Sequence, residues 1–215
     1  MSLKGAIFDL DGVVIDTVDI HFKAWKKIGL EYGKDVSFED YKEKIDGIPR
    51  IDGARAILAE LSEEELRKAS ERKQMYFLEL IEEDGVKVYE GSIDLIKRLK
   101  DSGIKIAVIS SSKNCSHLLK RAGIEDLFDV IITGYDVKRG KPAPDVFILA
   151  SEKLCVKPSE CIVFEDAILG VEAAKRGGFK CVAIDRYNDP SRLSRADLVI
   201  NDLSRIDITQ LKGLL

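Results

Sequence analysis

Short runs of β-branched and other apolar residues alternate, over most of the 215-residue chain, with segments whose apolar residues recur at helical spacing. Glycines such as Gly103 and Gly123 mark the ends of several helical segments. The short runs predict six strands: Gly5–Phe8, Lys105–Ile109, Val130–Ile132, Ile162–Phe164, Cys181–Ile184 and Leu198–Ile200. The alternation predicts an α/β fold, with a parallel Rossmann-like sheet and helices on both of its faces.

The segment from residue 17 to residue 85 departs from this alternation. Its apolar residues recur at helical spacing, and none of its runs is typical of a strand. Two pairs of residues in it have the spacing of capping boxes that begin helices: Ser37 with Asp40, and Ser62 with Glu65. We therefore expect a small helical cap domain over residues 17–85, inserted after the first strand into a core domain of residues 1–16 and 86–215.

Composition and charge narrow the classes of partner. The formal net charge is -4 and no dense run of lysine and arginine occurs, which argues against a nucleic-acid partner. No apolar run has membrane-spanning length, no signal peptide precedes the first strand, and the four cysteines form no CxxC pair. These features predict a cytoplasmic protein with no membrane partner, and a monomer is the default expectation for its oligomeric state.

Charged and hydroxyl side chains follow four of the predicted strands. Ligands of open α/β sheets bind beyond the carboxyl ends of the strands, so these side chains are expected to share one site. In chain order they are Asp9 and Asp11, then Ser110 to Asn114, then Lys141, and finally Glu165 with Asp166.

This set of side chains predicts phosphoryl transfer. Crowded carboxylates without histidine ligands are suited to Mg²⁺, which neutralises charge on transferring phosphoryl oxygens. Asp9 is then a candidate nucleophile that forms an acyl-phosphate, and Asp11 is a candidate proton shuttle. Lys141 offsets negative charge, and Ser110 can donate a hydrogen bond to a phosphoryl oxygen.

Other interpretations of the Asp9–Gly12 run fit less well. An EF-hand loop needs a further ligand where Val13 stands. The chain also has no GxxxxGK[ST] or GxGxxG nucleotide motif and no GxSxG serine-hydrolase motif.

Four motifs make the chain resemble the haloacid dehalogenase superfamily, in the branch with a helical cap after the first strand: Asp9-Leu10-Asp11-Gly12, Val108-Ile109-Ser110-Ser111, Lys141-Pro142 and Phe164-Glu165-Asp166. The resemblance implies Asp9 as nucleophile and Asp11 as general acid/base. It also implies one Mg²⁺ held by Asp9, the Asp11 main-chain carbonyl and Asp166, with Glu165 assisting. A carboxylate at position 11 favours phosphoryl transfer over dehalogenation or phosphonate cleavage.

Within that branch the cap is similar to that of the β-phosphoglucomutase family. This resemblance implies isomerisation of β-D-glucose 1-phosphate to glucose 6-phosphate, through an aspartyl-phosphate and a glucose 1,6-bisphosphate that also serves as activator. The chain departs from the family pattern only modestly, at Pro49 and Ile45. The implied substrate-binding residues are His21, Trp25, Gly47, Ile48, Arg50, Lys73, Ser112, Lys113 and Asn114.

Several alternatives stay open at this point. Trp25 can equally be a core residue of the cap, Lys73 a lysine at the edge of an apolar stripe, and Arg50 a surface arginine. A Mg²⁺-dependent phosphatase of small sugar or polyol phosphates is the second function consistent with the same motifs. A non-catalytic module that binds phosphorylated metabolites is the third, and it fits less well because Asp9 and its metal partners are all present.

Overall fold

The computed structural model describes residues 2–46 and 48–215. Its strands are β1 Gly5–Asp9, β2 Ile15–Asp16, β3 Lys87–Val88, β4 Lys105–Ile109, β5 Val130–Ile132, β6 Cys161–Glu165, β7 Lys180–Ile184 and β8 Leu198–Ile200. Its α-helices are α1 Val18–Glu31, α2 Phe38–Lys44, α3 Arg50–Ile57, α4 Glu63–Asp84, α5 Glu90–Asp101, α6 Cys115–Ala122, α7 Asp145–Lys153, α8 Ile168–Arg176 and α9 Ile208–Gly213. Within the described residues, no helix combines the length and the apolar character needed to cross a membrane.

The main sheet has six parallel strands in the order β5-β4-β1-β6-β7-β8, which confirms the predicted fold class. All six predicted strands are present, and three of them have the predicted bounds. β1 ends one residue later than predicted, β7 begins one residue earlier, and β6 is longer by one residue at each end. These differences matter because they place Asp9 and Glu165 inside the sheet as the last residues of their strands.

Packing on both faces of the sheet fixes the central strands in register. Ile7 pairs with Val163, and both lie in the hydrophobic core on one face. Phe8 pairs with Phe164 on the other face, and their rings stack with centroids 4.3 Å apart. This register brings the carboxyl ends of β1 and β6 to the same level.

The residues form two compact units. The α/β unit contains the chain up to Asp16 together with Val86–Leu215, and the helical unit contains Thr17–Gly85. The described residues of the helical unit form helices α1 to α4 and no strand. Both predicted capping boxes are present, at the starts of α2 and α4.

Two short strands were not predicted. β2 and β3 form a separate antiparallel pair in which Ile15 lies opposite Val88 and Asp16 opposite Lys87. A strand of two residues cannot show a two-residue period, so the sequence pattern contains no signal for it. The pair lies where the chain leaves the α/β unit and where it returns to it.

Candidate active site

Asp9 is the last residue of β1 and lies at the carboxyl end of the sheet. Its neighbour Leu10 donates a backbone hydrogen bond to the carbonyl of Ile109 in β4, at 2.9 Å. The chain then turns at Gly12, whose φ of +78° is a left-handed conformation that favours glycine. Asp9 itself is 7% exposed, so its carboxyl group is held in a largely buried environment.

Lys141 joins two of the carboxyl groups. Its Nζ lies 2.6 Å from Oδ1 of Asp9 and also contacts Oε1 of Glu165. Burial raises the pKa of Asp9 to about 8; Lys141 opposes this rise, and the Glu165 and Asp11 charges add to it. Burial also acts to lower the pKa of Lys141, but the two carboxylates outweigh it and raise this pKa above its usual value. Asp9 therefore needs a further positive charge beside it to be fully ionised at neutral pH.

Glu165 is completely buried, and both of its carboxyl oxygens already accept hydrogen bonds. Oε1 faces Lys141, whereas Oε2 accepts from the backbone N–H groups of Asp166 and Ala167, each at 2.8 Å. Gly170 gives this carboxyl group its space, because a Cβ at that position would lie 1.8 Å from Oε1. Glu165 is thus suited to holding Lys141 and the Asp166 backbone in place.

Three acidic residues form a possible metal site. Asp9, Glu165 and Asp166 each offer a carboxylate oxygen, and these oxygens lie within 4.8 Å of one another. An all-oxygen donor set of this kind fits Mg²⁺. Because the oxygens of Glu165 are engaged elsewhere, Asp9 and Asp166 are the side chains best suited to hold the ion.

A hydrogen-bonded series extends from Asp11 into the loop after β4. The hydroxyl of Ser110 donates to Oδ2 of Asp11 at 3.2 Å, and it accepts from the backbone N–H of Ser112 at 3.0 Å. The hydroxyl of Ser112 in turn accepts from the backbone N–H of Asn114 at 3.1 Å. Next to this series, Nζ of Lys113 lies 4.7 Å from the centre of the exposed Tyr135 ring. The α/β unit therefore brings all of its predicted catalytic side chains to one end of the sheet.

His21 and Lys73 form a partly buried pair in the helical unit. Nζ of Lys73 lies 2.6 Å from Nδ1 of His21, and the imidazole stacks on Phe77 with centroids 4.3 Å apart. Burial, and after it the Lys73 charge, lowers the pKa of His21 well below its ordinary value. A protonated lysine can only donate, so Nδ1 accepts and the neutral imidazole carries its proton on Nε2.

Trp25 is a predicted substrate-binding residue that lies almost completely inside the helical unit. It is 3% exposed and packs in the hydrophobic core of the helical unit. Gly53 lies so close that a Cβ there would be 2.8 Å from the indole ring. This burial favours the alternative in which Trp25 is a core residue, with its ring 5.2 Å from Nζ of Lys73.

Arg50 begins helix α3 and is exposed. Its Nη1 donates to Oε1 of Gln74 at 2.7 Å. Ile48, two residues before Arg50, is 38% exposed, whereas Gly47 lies outside the described residues. Sequence reasoning did not identify Gln74, which follows Lys73 directly on α4 and has no motif of its own.

Arg186 is a second residue that sequence reasoning missed. It follows β7 by two residues, and its Nε donates to the carbonyl of Gly12 at 2.6 Å. The signal that identified the other site residues was also present here, because polar residues follow the predicted strand that ends at Ile184.

Comparison with known proteins gives a consistent result. The family model of haloacid dehalogenase-like hydrolases matches residues 6–184. The phosphorylated carbohydrates phosphatase of Thermotoga maritima is 33% identical over an alignment of 206 positions that covers 92% of this chain and 93% of that protein. The β-phosphoglucomutase of Bacillus subtilis is 34% identical over an alignment of 217 positions that covers 96% of this chain and 92% of that protein. The crystal structure of β-phosphoglucomutase from Clostridium difficile superposes with a TM-score of 0.86 at 31% identity, covering 99% of this chain and 96% of that chain.

Proposed function

Because the chain belongs to the haloacid dehalogenase-like hydrolase family, we propose that it is a phosphomutase that acts on a small sugar phosphate through a phosphorylated Asp9. The observation that carries this proposal is the arrangement around Asp9. A lysine Nζ lies 2.6 Å from its carboxylate, and two further carboxylates lie within 4.8 Å of it. Such a site can bind a divalent cation and a phosphoryl group together.

The first step forms a bond from an Asp9 oxygen to phosphorus and breaks the bond from phosphorus to the sugar oxygen. Asp11 donates a proton to that leaving oxygen. Lys141 balances the negative charge of Asp9, and the Ser110 hydroxyl orients Asp11. A Mg²⁺ bound by Asp9 and Asp166 would neutralise charge on the phosphoryl oxygens.

The second step separates two activities. In a mutase, a free hydroxyl of a bound sugar monophosphate attacks phospho-Asp9, which forms the bisphosphate, releases the Asp9 carboxylate and passes the hydroxyl proton to Asp11; in a phosphatase, water attacks instead. We assign Arg50 to the phosphate that is not transferred, because an exposed guanidinium can bind phosphate oxygens at two points. We also propose that the pair of His21 and Lys73 binds the sugar phosphate. The same role is proposed for Ser112, Lys113 and Asn114.

The mutase reaction that we propose converts β-D-glucose 1-phosphate to glucose 6-phosphate through glucose 1,6-bisphosphate. The similarity to β-phosphoglucomutases over nearly the whole chain supports it. Hydrolysis of small sugar or polyol phosphates is the second candidate, because a carbohydrate phosphatase is similar to the chain to the same degree.

Phosphorus NMR distinguishes the two candidates. The purified protein is mixed with Mg²⁺, β-glucose 1-phosphate and a trace of glucose 1,6-bisphosphate, and the phosphorus signals are followed with time. Accumulation of glucose 6-phosphate supports the mutase. Steady release of inorganic phosphate without the isomer supports the phosphatase. If neither product forms, both candidate functions are contradicted.

Two variants test the assigned roles. Asp9→Asn is expected to abolish both isomerisation and hydrolysis of p-nitrophenyl phosphate, because the amide is a poor nucleophile.

Arg50→Ala is expected to reduce isomerisation more than hydrolysis, because p-nitrophenyl phosphate has no second phosphate. Arg55→Ala is the matched control, since Arg55 lies on the same helix, is also exposed and pairs with Asp52. Equal losses of both activities in Arg50→Ala would contradict its assignment.

A further inference from the structure

We propose that Arg186 is a positioning residue that holds the loop after β1 in the conformation in which Asp9 and Asp11 act. The proposal rests on the proposed function, because it takes the roles of these two aspartates from it. Three features of the structure carry it: the hydrogen bond from Arg186 to the loop after β1, the environment of the glycine it binds, and its second contact, with Tyr89.

Arg186 reaches across the sheet. β7 and β1 are separated by β6, so with neighbouring strands about 4.8 Å apart their ends lie about 10 Å from each other. Arg186 and Gly12 lie in the loops that follow these two strands, and Nε of Arg186 donates to the carbonyl oxygen of Gly12 at 2.6 Å, so the hydrogen bond joins the loops of two non-adjacent strands. A hydrogen bond from a charged donor is about twice as strong as a neutral one, so this contact restrains the position of the Gly12 carbonyl.

Gly12 is constrained on its other side by the metal-site residue Asp166. A Cβ at position 12 would lie 1.8 Å from Oδ2 of Asp166, so the backbone of the loop packs directly on that carboxylate. The turn itself is closed by hydrogen bonds from Gly12 N–H to the carbonyl of Ile15 and from Val14 N–H to that of Leu10, both 2.9 Å. Movement of the Gly12 peptide would therefore disturb Asp11, its direct neighbour, and Asp166 together.

The guanidinium of Arg186 makes a second contact. Its carbon lies 3.7 Å from the centre of the Tyr89 ring, which is a close cation–π arrangement. Tyr89 comes directly after β3 and donates its backbone N–H to the carbonyl of Val14 at 2.9 Å. Arg186 thus contacts both the outgoing chain at Gly12 and the returning chain at Tyr89. A planar guanidinium can stack and donate sideways at once, which a lysine ammonium cannot do.

The test compares Arg186→Met with Arg98→Met. Arg98 is a matched control in the same unit, because its Nη1 also donates to a backbone carbonyl, that of Ile206, at 3.1 Å. Two readouts are measured for each variant. The first is kcat and KM for p-nitrophenyl phosphate with Mg²⁺, and the second is hydrogen exchange of the backbone amides of Gly12, Val14 and Ile15.

Arg186→Met is expected to lower kcat about tenfold or more with KM changed less than about threefold, because small displacements of reacting groups are costly. The three loop amides are expected to exchange about tenfold faster or more, since a charged hydrogen bond that anchors their loop is lost. Arg98→Met is expected to leave both readouts within about twofold of the parent. A kcat or loop exchange in Arg186→Met that matches the control overturns the proposal.

A second variant keeps the test decisive if Arg186→Met does not fold. Arg186→Lys retains the charge and most of the length but loses the stacking geometry, so intermediate kcat and intermediate loop exchange are expected. Parent-like values for both overturn the proposal. Hydrogen exchange does not depend on catalysis. A parent protein that neither isomerises β-glucose 1-phosphate nor hydrolyses a phosphate ester would therefore contradict the proposed function, whereas unchanged exchange would contradict the role of Arg186.

Discussion

Replacing Lys141 with methionine tests how the charges of the site stabilise the fold. The side chain of Lys141 is 12% exposed, and its Nζ contacts the carboxyl groups of both Asp9 and Glu165. Methionine has nearly the same length and fills the same space, so Lys141→Met removes the positive charge with little change in packing. We expect it to destabilise the metal-free protein strongly.

The size of the loss follows from the geometry. Lys141 attracts the completely buried carboxylate of Glu165, which Lys141→Met leaves without a positively charged partner. Part of this attraction offsets the cost of burying the groups, and removal of one partner from a buried pair typically costs about 3–5 kcal/mol. We therefore expect the free energy of unfolding to fall by about 3–5 kcal/mol at pH 7 without metal.

The loss is also expected to depend on pH with a defined sign. Burial raises the pKa of Asp9 from its ordinary 3.8 to about 8, so stability linked to Asp9 decreases as the pH rises between these values. Lys141 acts to lower this pKa, so Lys141→Met moves it higher still. Below pH 8, Asp9 then binds its proton in both proteins and their difference stays constant. Above about pH 8 only the variant still binds it, and the difference widens by at most about 1.4 kcal/mol per pH unit.

Urea denaturation in EDTA, repeated at several pH values between about 7 and 9.5, measures the difference in the free energy of unfolding between the parent protein and Lys141→Met. This pH range lies below the pKa of free lysine side chains. Unfolding is followed by circular dichroism, because the single tryptophan, Trp25, lies in the helical unit and reports on that unit alone. Lys180→Met is the control. Lys180 is 41% exposed and Asp197 keeps its contact with Lys175, so a loss below about 1 kcal/mol is expected. A Lys141→Met loss as small as that of the control, or one that shrinks above pH 8, would refute the reasoning.

Two further predictions follow from close contacts and from burial. Gly12→Ala is expected to reduce activity and Mg²⁺ activation by about tenfold or more, because its Cβ would lie 1.8 Å from Asp166. Gly33→Ala has a similar φ of +73° but open space around it, so a drop in thermal stability without loss of Mg²⁺ activation is expected there. The imidazole signal of His21 is expected not to titrate between about pH 5.5 and 8 in proton NMR, because burial and Lys73 lower its pKa. A His21 midpoint near 6.5 would show that the imidazole is not held neutral.

The sheet and the residues at its carboxyl end could be predicted from the sequence because both depend on local signals. Each strand of the main sheet is an apolar run, and parallel strands of one sheet end at the same edge. The positions of Asp9 and Glu165 follow from that rule, and Lys141, from the longer segment after β5, contacts both. The capping boxes at Ser37 and Ser62 could be predicted for a similar reason, since a cap is decided within four residues.

Other features depend on contacts between distant segments, for which the sequence pattern contains no signal. The Arg186 to Gly12 hydrogen bond joins residues 174 positions apart, and Gln74 faces Arg50 across 24 positions. Trp25 shows the limit in another way. An aromatic residue on one face of a helix can equally well contact a sugar or belong to a hydrophobic core. The two alternatives are distinguished by the exposed fraction of Trp25, which is only 3%.

The balance of the two activities depends on residues outside the shared catalytic centre. In the proposed mechanism, the first phosphoryl transfer uses Asp9, Asp11, Lys141 and Asp166 equally in a mutase and a phosphatase, so their geometry favours neither activity. Relatives of both kinds match the chain over nearly its full length, so overall similarity favours neither as well. The two activities differ only in the attack on phospho-Asp9. If Arg50 binds the phosphate that is not transferred, the sugar hydroxyl is positioned to attack in place of water. The effect of Arg50→Ala on isomerisation relative to hydrolysis therefore measures the step at which the two activities diverge.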